Sequence, residues 1–326
     1  MPSPPAILLL LPPGSPPDAG NRVTAERWAR LLREAGAEVE IAETWDGRPP
    51  DLAVALHARK SAPELERLRA ACPGTPVVVA LTGTDLYGDL PGGDGAALRS
   101  LQAADRIVAL HPGAEGFLPE ELRDRVRVVL QSAEAPEPRP LPDPERFPVC
   151  VLSHLRPVKD PLRPAEAARY LPPESRIEIL HAGAPLDPEL AERARAETRD
   201  NPRYHWLGPL PRGQALRLLG ASRALVLPSL SEGGANVLSE AAVRRVPILA
   251  SRIPSSLALL GEDHPGWFES GDTLGLAALL RRLEEDPFLE DALQRSSEGL
   301  ARRVRPAAER RAWEGLLGEL LPDRRP

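Results

Sequence analysis

The sequence predicts an α/β protein with two doubly wound domains, and three observations carry that prediction. Short apolar runs alternate with stretches of helical periodicity along most of the chain. Most of those runs are continuously apolar, as parallel strands covered by helices on both faces must be. The alternation breaks once, at a proline-dense stretch, and then restarts. With 326 residues, 42% of them hydrophobic, each half is long enough to bury a sizeable core.

The run at 6–11 reads as the first strand. Residues 23–35 then place Val23, Trp28, Leu31, Leu32 and Ala35 on one helical face, with Gly36 ending the helix. Further strands are predicted at 39–42, 52–57, 77–82, 106–110 and 126–131. Prolines at 136, 138, 140, 142, 144 and 148 interrupt regular structure, so 135–148 reads as a linker between a first domain, 1–134, and a second, 149–305. Strands follow at 149–154, 177–183, 204–208, 224–230 and 247–251. The tail from 273 to 321 is mostly helical, with breaks at Pro287 and Pro306. No tandem repeat appears. In such sheets ligands sit at the carboxyl ends of the strands, in a cleft.

Composition removes several function classes. A net charge of −6 leaves no basic footprint for nucleic acid. Cys72 and Cys150 are the only cysteines, too few for a disulfide framework, a four-cysteine zinc site or an iron–sulfur cluster. The first apolar run is too short to span a bilayer and no positive stretch precedes it, so neither anchor nor signal peptide is expected, and the expected location is the cytoplasm. No Asp-x-Asp occurs, and the histidines lack ligand spacing, so no metal is expected. The 39 prolines go with arginine nearly replacing lysine, a bias of composition rather than of disorder. Lysine occurs only at Lys60 and Lys159.

The richest segment is Pro228-Ser-Leu-Ser-Glu-Gly-Gly-Ala-Asn-Val-Leu-Ser-Glu240. A buried strand runs into Gly233 and Gly234, whose lack of a side chain lets backbone approach a ligand, and then into a helix. The amides of Gly234, Ala235 and Asn236 at the helix start suit an anion such as phosphate. Glu232 and Glu240 flank the turn, and carboxylates accept hydrogen bonds from sugar hydroxyls. Phosphate in the middle and hydroxyls at both ends describe a sugar nucleotide; the plainer alternative is a helix start with acidic neighbours. A second cluster, Ser153-His-Leu-Arg-Pro-Val-Lys-Asp160, follows the linker strand and offers Arg156 as a fork and Lys159 as a point charge for a diphosphate.

The frame Pro-Ser-x-x-Glu-Gly-x-x-Asn-Val-x-x-Glu resembles the signature of GT-B glycosyltransferases of family 4. The resemblance implies two Rossmann-like domains facing across a cleft, with a C-terminal helix, 306–326, returning to the first domain. It implies that Glu232 faces the donor sugar and that Glu240 binds the nucleotide ribose, with Gly233, Gly234, Ala235, Asn236 and Val237 around the diphosphate. The family usually shows Gly-Arg-Leu-x-x-x-Lys-Gly at the second cluster. Here Lys159 matches the lysine and His154 stands at the arginine, so Arg156 or His154 takes the cationic role.

In the first domain Gly20, Asn21, Arg22 and Thr24 open a helix where the family's glycine-rich loop meets donor phosphates and acceptor; an asparagine helix cap is the plainer reading. The loop lacks the dinucleotide fingerprint Gly-x-Gly-x-x-Gly, which speaks against NAD. His57, Arg59 and Lys60 end one predicted strand and form a candidate cationic pocket for an anionic acceptor; a structural histidine is the alternative for His57. Thr82 and Asp85 end the next strand, with Thr82 where the family often has histidine. His111, Gln131 and Ser132 also fall at strand ends. Six motifs between Gly20 and Val237, among them Ala-Leu-His-Ala-Arg-Lys-Ser and Leu-Thr-Gly-Thr-Asp-Leu-Tyr, resemble one subgroup, the SenB-type selenosugar synthases of selenoneine biosynthesis.

That resemblance implies a UDP-sugar donor, with UDP-N-acetylglucosamine as the expected one, and selenophosphate as the nucleophile at the anomeric carbon. Glu232, Arg156, Lys159 and His57 then carry catalysis, and Asn21, Arg22, Thr24, Arg59, Lys60, Thr82 and Asp85 hold the acceptor. No cofactor is expected beyond the donor substrate, and the expected partners are these small molecules and pathway enzymes, not nucleic acid or membrane. An ordinary family 4 transferase using a hydroxyl acceptor, and a sugar-nucleotide binding module without catalysis, remain alternatives.

Overall fold

The structure is a computed structural model that describes residues 3–15, 20–134 and 145–322. Its contacts divide the chain into two compact units. The first takes in Met1–Ser132, Glu232–Gly234 and Val304–Pro326, and the second Ala133–Ser231 and Ala235–Arg303. Of the expected linker, residues 135–144 lie outside the described residues.

The first unit is built on a six-stranded parallel sheet. Its strands are β1 (Ala6–Leu10), β2 (Glu38–Ala42), β3 (Leu52–Leu56), β4 (Val77–Ala80), β5 (Arg106–Ala109) and β6 (Val126–Val128), in the spatial order β2-β1-β3-β4-β5-β6. Leu8, Leu10, Ala53 and Ala55 join one buried cluster, and Ile7, Leu9, Leu52 and Val54 join another. Alternate residues of each strand therefore serve opposite faces, which is why the runs read as continuously apolar. Helices α2 (Ala62–Ala71) and α3 (Gly95–Ala103) contribute Leu65, Leu68, Ala97 and Leu101 to the first cluster. Helix α1 (Gly20–Glu34) supplies Trp28, Ala29 and Leu32 to the second.

The second unit repeats the plan with β7 (Phe147–Leu152), β8 (Ile177–Ala182), β9 (Tyr204–Trp206), β10 (Ala224–Leu227), β11 (Ile248–Ser251) and β12 (Trp267–Phe268). The order is β12-β11-β10-β7-β8-β9, all parallel. Strand order reverses between β7 and β10, which pair Ala224 with Val149 and Leu225 with Cys150. A crevice at the carboxyl ends of two such strands is where this sheet type binds ligands. The surrounding helices are α4 (Arg163–Ala168), α5 (Pro188–Asp200), α6 (Arg212–Ala221), α7 (Asn236–Val243), α8 (Pro254–Leu260), α9 (Thr273–Glu285) and α10 (Pro287–Arg303).

The last helix, α11 (Pro306–Leu320), belongs to the first unit. Trp313 meets Trp28 edge to face, ring centroids 4.8 Å apart at 68°, and neither is exposed; such a pair adds about 0.5–1.5 kcal/mol beyond the area it buries. Glu309, one turn earlier, is wholly buried. It accepts from Arg27 Nε at 3.0 Å, Trp28 Nε1 at 2.7 Å and Ser132 N at 2.8 Å, and from Ser132 Oγ.

Two-sheet architecture agrees with the expectation, and the boundaries differ for local reasons. Strands expected through Gln131 and Leu230 stop at Val128 and Leu227, because apolar composition continues after pairing ends, into buried Val129 in one loop and exposed Leu230 in the other. Strand β7 starts at Phe147 and includes Pro148, read from sequence as linker; Pro148 pairs with Glu178, and its carbonyl accepts from Arg223 N at 2.7 Å. The two residues of β12 were too few to be seen as a strand. Pro287 and Pro306 each open a helix, where a missing N–H costs nothing. No described helix is long and apolar enough to cross a membrane.

Candidate functional site

In the second unit both singled-out segments leave the two strands that meet at the reversal of strand order. Residues 153–160 follow β7, and residues 228–240 follow β10. Leu230 N donates to Val158 O at 2.8 Å and joins the two loops. Ser251 Oγ donates to Ser229 O at 2.5 Å and fixes the exit of β10. Helix α7 begins at Asn236 with Ala235 as its cap residue, and no side chain caps it. The segment thus presents a helix N-terminus beside the loop that carries Arg156 and Lys159.

Arg156 is exposed, with no ion pair among the described residues, and Lys159 ends a 3₁₀ turn, Pro157–Lys159. His154 Nδ1 accepts from Ala184 N at 3.0 Å. That bond places the imidazole proton on Nε2. The loop is held from behind. A Cβ on Gly183 would lie 1.8 Å from Ser153 O, so only glycine allows this approach. His181 sits fully buried beneath it, donating from Nε2 to Ser153 O at 2.8 Å and accepting from Tyr204 Oη at 2.7 Å through Nδ1. Burial, first among the causes, lowers the His181 pKa to about 4.

Glu232 and Glu240 are both buried. Glu240, on the inner face of α7, has a partner that the sequence did not indicate: Arg212 Nη2 lies 2.6 Å from its Oε1. Val237 is half-buried on the first turn of α7.

Glu232, Gly233 and Gly234 group with the first unit. A Cβ on Gly233 would lie 2.3 Å from Gly83 N and 2.4 Å from Thr82 C, and one on Gly234 2.5 Å from Leu110 Cβ. The sequence reading attributed these glycines to the approach of a ligand; the close approach observed is to the chain's own backbone and Leu110.

The strand ends of the first unit correct several expectations. His57 follows β3 with φ of 81°, a left-handed conformation that is uncommon outside glycine. Its side chain is 3% exposed, Nδ1 accepts from Lys60 N at 3.4 Å, and Nε2 lies 3.9 Å from Asp89 Oδ2. Burial, ahead of the Lys60 charge, lowers its pKa to about 4, so His57 is neutral at pH 7. Arg59 Nε lies 2.9 Å from Asp89 and 3.9 Å from Asp94. Lys60 is exposed. The expected cationic pocket is therefore not cationic: a neutral histidine and Arg59 lie among Asp85, Asp89 and Asp94, with Lys60 exposed beside them.

Asp85, expected to bind acceptor, is sealed from solvent. It accepts from Ala58 N at 2.8 Å, Thr82 N at 2.6 Å, Thr82 Oγ1 at 2.9 Å and Leu86 N at 3.0 Å, and so staples the loops after β3 and β4. Burial outweighs those bonds and raises its pKa to about 6. Arg22 pairs with Glu43 at 2.8 Å and also donates to Ser15 O, so its charge is already matched. Thr24 is buried and accepts from Gln131 Nε2 at 2.8 Å. Asn21 is half-buried on the first turn of α1. Gly20 opens that helix, and a Cβ there would meet nothing within 4 Å, so no close approach requires glycine. His111 accepts from Tyr87 Oη at 2.8 Å and donates to Pro112 O at 2.8 Å, and Ser132 belongs to the Glu309 cluster.

Sequence reasoning missed Arg212, Asp89 and His181. Asp89 lies one short turn after Asp85 and could have been read from that spacing. Arg212 and His181 carry no local sign of their partners. Among the described residues no group of three or more His, Cys, Asp or Glu side chains is arranged to hold a metal.

Comparison with known proteins bears on the fold and the family. Glycosyltransferase 1 domain-containing protein 1 of Xenopus tropicalis is 29% identical over 137 residues, 42% of this chain and 39% of that one. The match thus spans about two-fifths of that relative's length. HepE from Anabaena, solved with UDP and glucose, superposes with a TM-score of 0.76 at 15% identity, covering 97% of this chain and all of that one. Sucrose-phosphate synthase from Thermosynechococcus elongatus gives 0.78 at 16% identity, covering 98% and 100%. At such identities the likeness is one of fold, and the fold is GT-B. The sequence profile described as glycosyl transferases group 1 matches residues 134–301. That is more than half of the chain, and the protein belongs to the glycosyl transferases group 1 family.

Proposed function

We propose that this glycosyltransferase takes its sugar from a UDP-sugar, with UDP-N-acetylglucosamine as the expected donor, and transfers it to selenophosphate. The observation that carries the donor half is the 228–240 segment at the β7/β10 reversal, with a helix N-terminus between two buried carboxylates. Glu240 binds the ribose hydroxyls and Glu232 the sugar. Arg156, Lys159 and the amides at Gly234–Asn236 hold the diphosphate and stabilise charge as UDP departs, each donor worth about 3 kcal/mol. HepE, similar in fold, has been solved with UDP, with UDP-glucose, and with UDP and glucose. The acceptor half rests on the motif resemblance. Selenium attacks C1, the C–Se bond forms, and the bond from C1 to the UDP oxygen breaks. An anionic nucleophile needs no strong base. Lys60, exposed where Arg59 is paired with Asp89, is the cation left to attract it.

A second reading, transfer to a hydroxyl, is favoured by Asp89 and Asp94 near His57 and Arg59, since carboxylates repel an anion and accept from a hydroxyl. Purified protein incubated with UDP-N-acetylglucosamine, with and without selenophosphate, separates the two when UDP release is followed by chromatography. Release that requires selenophosphate supports the proposal. Release indifferent to it removes the selenium half, and donor binding without turnover of any acceptor tried would mark a binding module. Turnover is expected to survive EDTA.

A further inference from the structure

Arg212 opens α6 directly after Pro211, and its guanidinium reaches Glu240 Oε1 at 2.6 Å. The two partners differ in exposure, 52% for the arginine side chain and 9% for the glutamate. Glu240 Oε1 is sealed from solvent, and Arg212 meets it as an ion pair without an aligned hydrogen bond. Its Oε2 is not among the sealed polar atoms and takes no hydrogen bond from the described residues. A carboxylate accepts on both oxygens, so the pair occupies one and leaves the other presented. A second arginine holds the same helix: Arg244 Nη1 donates to the Glu240 carbonyl at 3.1 Å. The carboxylate of Glu240 is thus fixed from one side by a side chain from another helix. Without that contact it has staggered alternatives, and Arg244, bonded to the backbone carbonyl, is the cation left near its almost buried charge.

We propose that Arg212 is a positioning residue for nucleotide recognition: it anchors Glu240 Oε1 so that Oε2 faces a ribose hydroxyl, and it thereby sets a preference for ribonucleotide over deoxyribonucleotide donors. The inference rests on the reading of Glu240 as the ribose ligand. Arg212 touches neither the sugar nor the reacting bond in this arrangement.

Calorimetric titration of the whole chain with UDP and with 2′,3′-dideoxy-UDP tests it on wild type, R212A, R212K, E240A and R212A/E240A, each checked for a wild-type melting curve. R212A is expected to weaken UDP about tenfold, or ~1.4 kcal/mol, through loss of the ion pair that holds Glu240, and to leave dideoxy-UDP unchanged. R212K recovers part of the loss, and the double variant binds like E240A alone. Equal weakening of both nucleotides by R212A, or of neither, overturns the positioning role. If E240A abolishes discrimination while R212A keeps it, only this inference fails. If E240A binds UDP as wild type does, the ribose reading falls first.

Discussion

The strand ends of the two units use polar side chains in opposite ways. The first unit turns them inward. Asp85 takes four hydrogen bonds, Arg59 faces Asp89, Arg22 faces Glu43, and Thr24 receives Gln131. After β7 and β10 the second unit leaves Arg156 exposed and Glu240 half-satisfied, and it locks the loops from behind with His181 and Gly183. A carboxylate whose hydrogen bonds are all internal is a staple; one held by a single oxygen is a receptor. The difference separates residues that build the fold from residues offered to a ligand, even when both sit at strand ends and both read as site residues in sequence.

The largest expected effect probes the inward style. Glu309→Ala removes a buried acceptor from Arg27, Trp28 and Ser132, and breaking such a charge network should cost about 3–5 kcal/mol. Hydrogen exchange should show the loss in the first unit, with protection in the second kept; equal loss in both would erase the contrast. Next, Lys159→Ala should slow turnover about a hundredfold, the scale of one lost electrostatic contact of ~3 kcal/mol. Uridine binding should change little, and kcat measured at saturating donor decides. A matched pair follows. Glu240→Ala should cost ligand rather than fold, with UDP affinity falling by about 1.5–3 kcal/mol. Asp85→Ala should cost about 1–3 kcal/mol of stability through amides left unpaired and leave the UDP constant in place. Titration calorimetry beside urea unfolding checks both, and an exchange of the two outcomes would reverse the assignment.

The smallest effect per unit of pH is titrational. His57, His181 and His264 have folded pKa values lowered from 6.5 to about 4 by burial. Between those values the unfolded chain binds protons that the folded chain does not, so stability falls as pH drops from 6.5 towards 4, by up to about 1.4 kcal/mol per unit for each histidine. Asp85 works the other way: its folded pKa of about 6 lies above 3.8, so acidification through that window relieves its buried charge. Three groups against one give a net loss. Melting temperatures at pH 6.5 and 4.5 should show it, and a rise on acidification would contradict the burial of these histidines.

Much of the architecture was legible in the sequence because both sheets are parallel and covered on both faces, so strands such as Leu52–Leu56 stand out as unbroken apolar runs. The 228–240 turn was legible because its residues are contiguous. Pairing at a distance was not. Arg212 with Glu240 and Arg27 with Glu309 are choices among 41 basic and 47 acidic residues, and nothing local marks the partner. The supposed cationic patch failed for the same reason. His57, Arg59 and Lys60 are adjacent in sequence, while Asp85, Asp89 and Asp94 reach them only once β3 and β4 lie side by side. Charge counted along a chain is not charge counted in space.

The Trp313 helix sets an order of events during synthesis. Residues 6–128 supply every strand of the first sheet, yet one of its faces is covered only in part, by α1, until α11 supplies Trp313, Leu316 and Leu317. On the ribosome, the amino-terminal half must wait with Trp28 unpartnered while the whole second sheet is translated. The part made first is therefore the part finished last, and a ribosome that stalls after residue 303 leaves a chain with a half-covered apolar face for chaperones to shield.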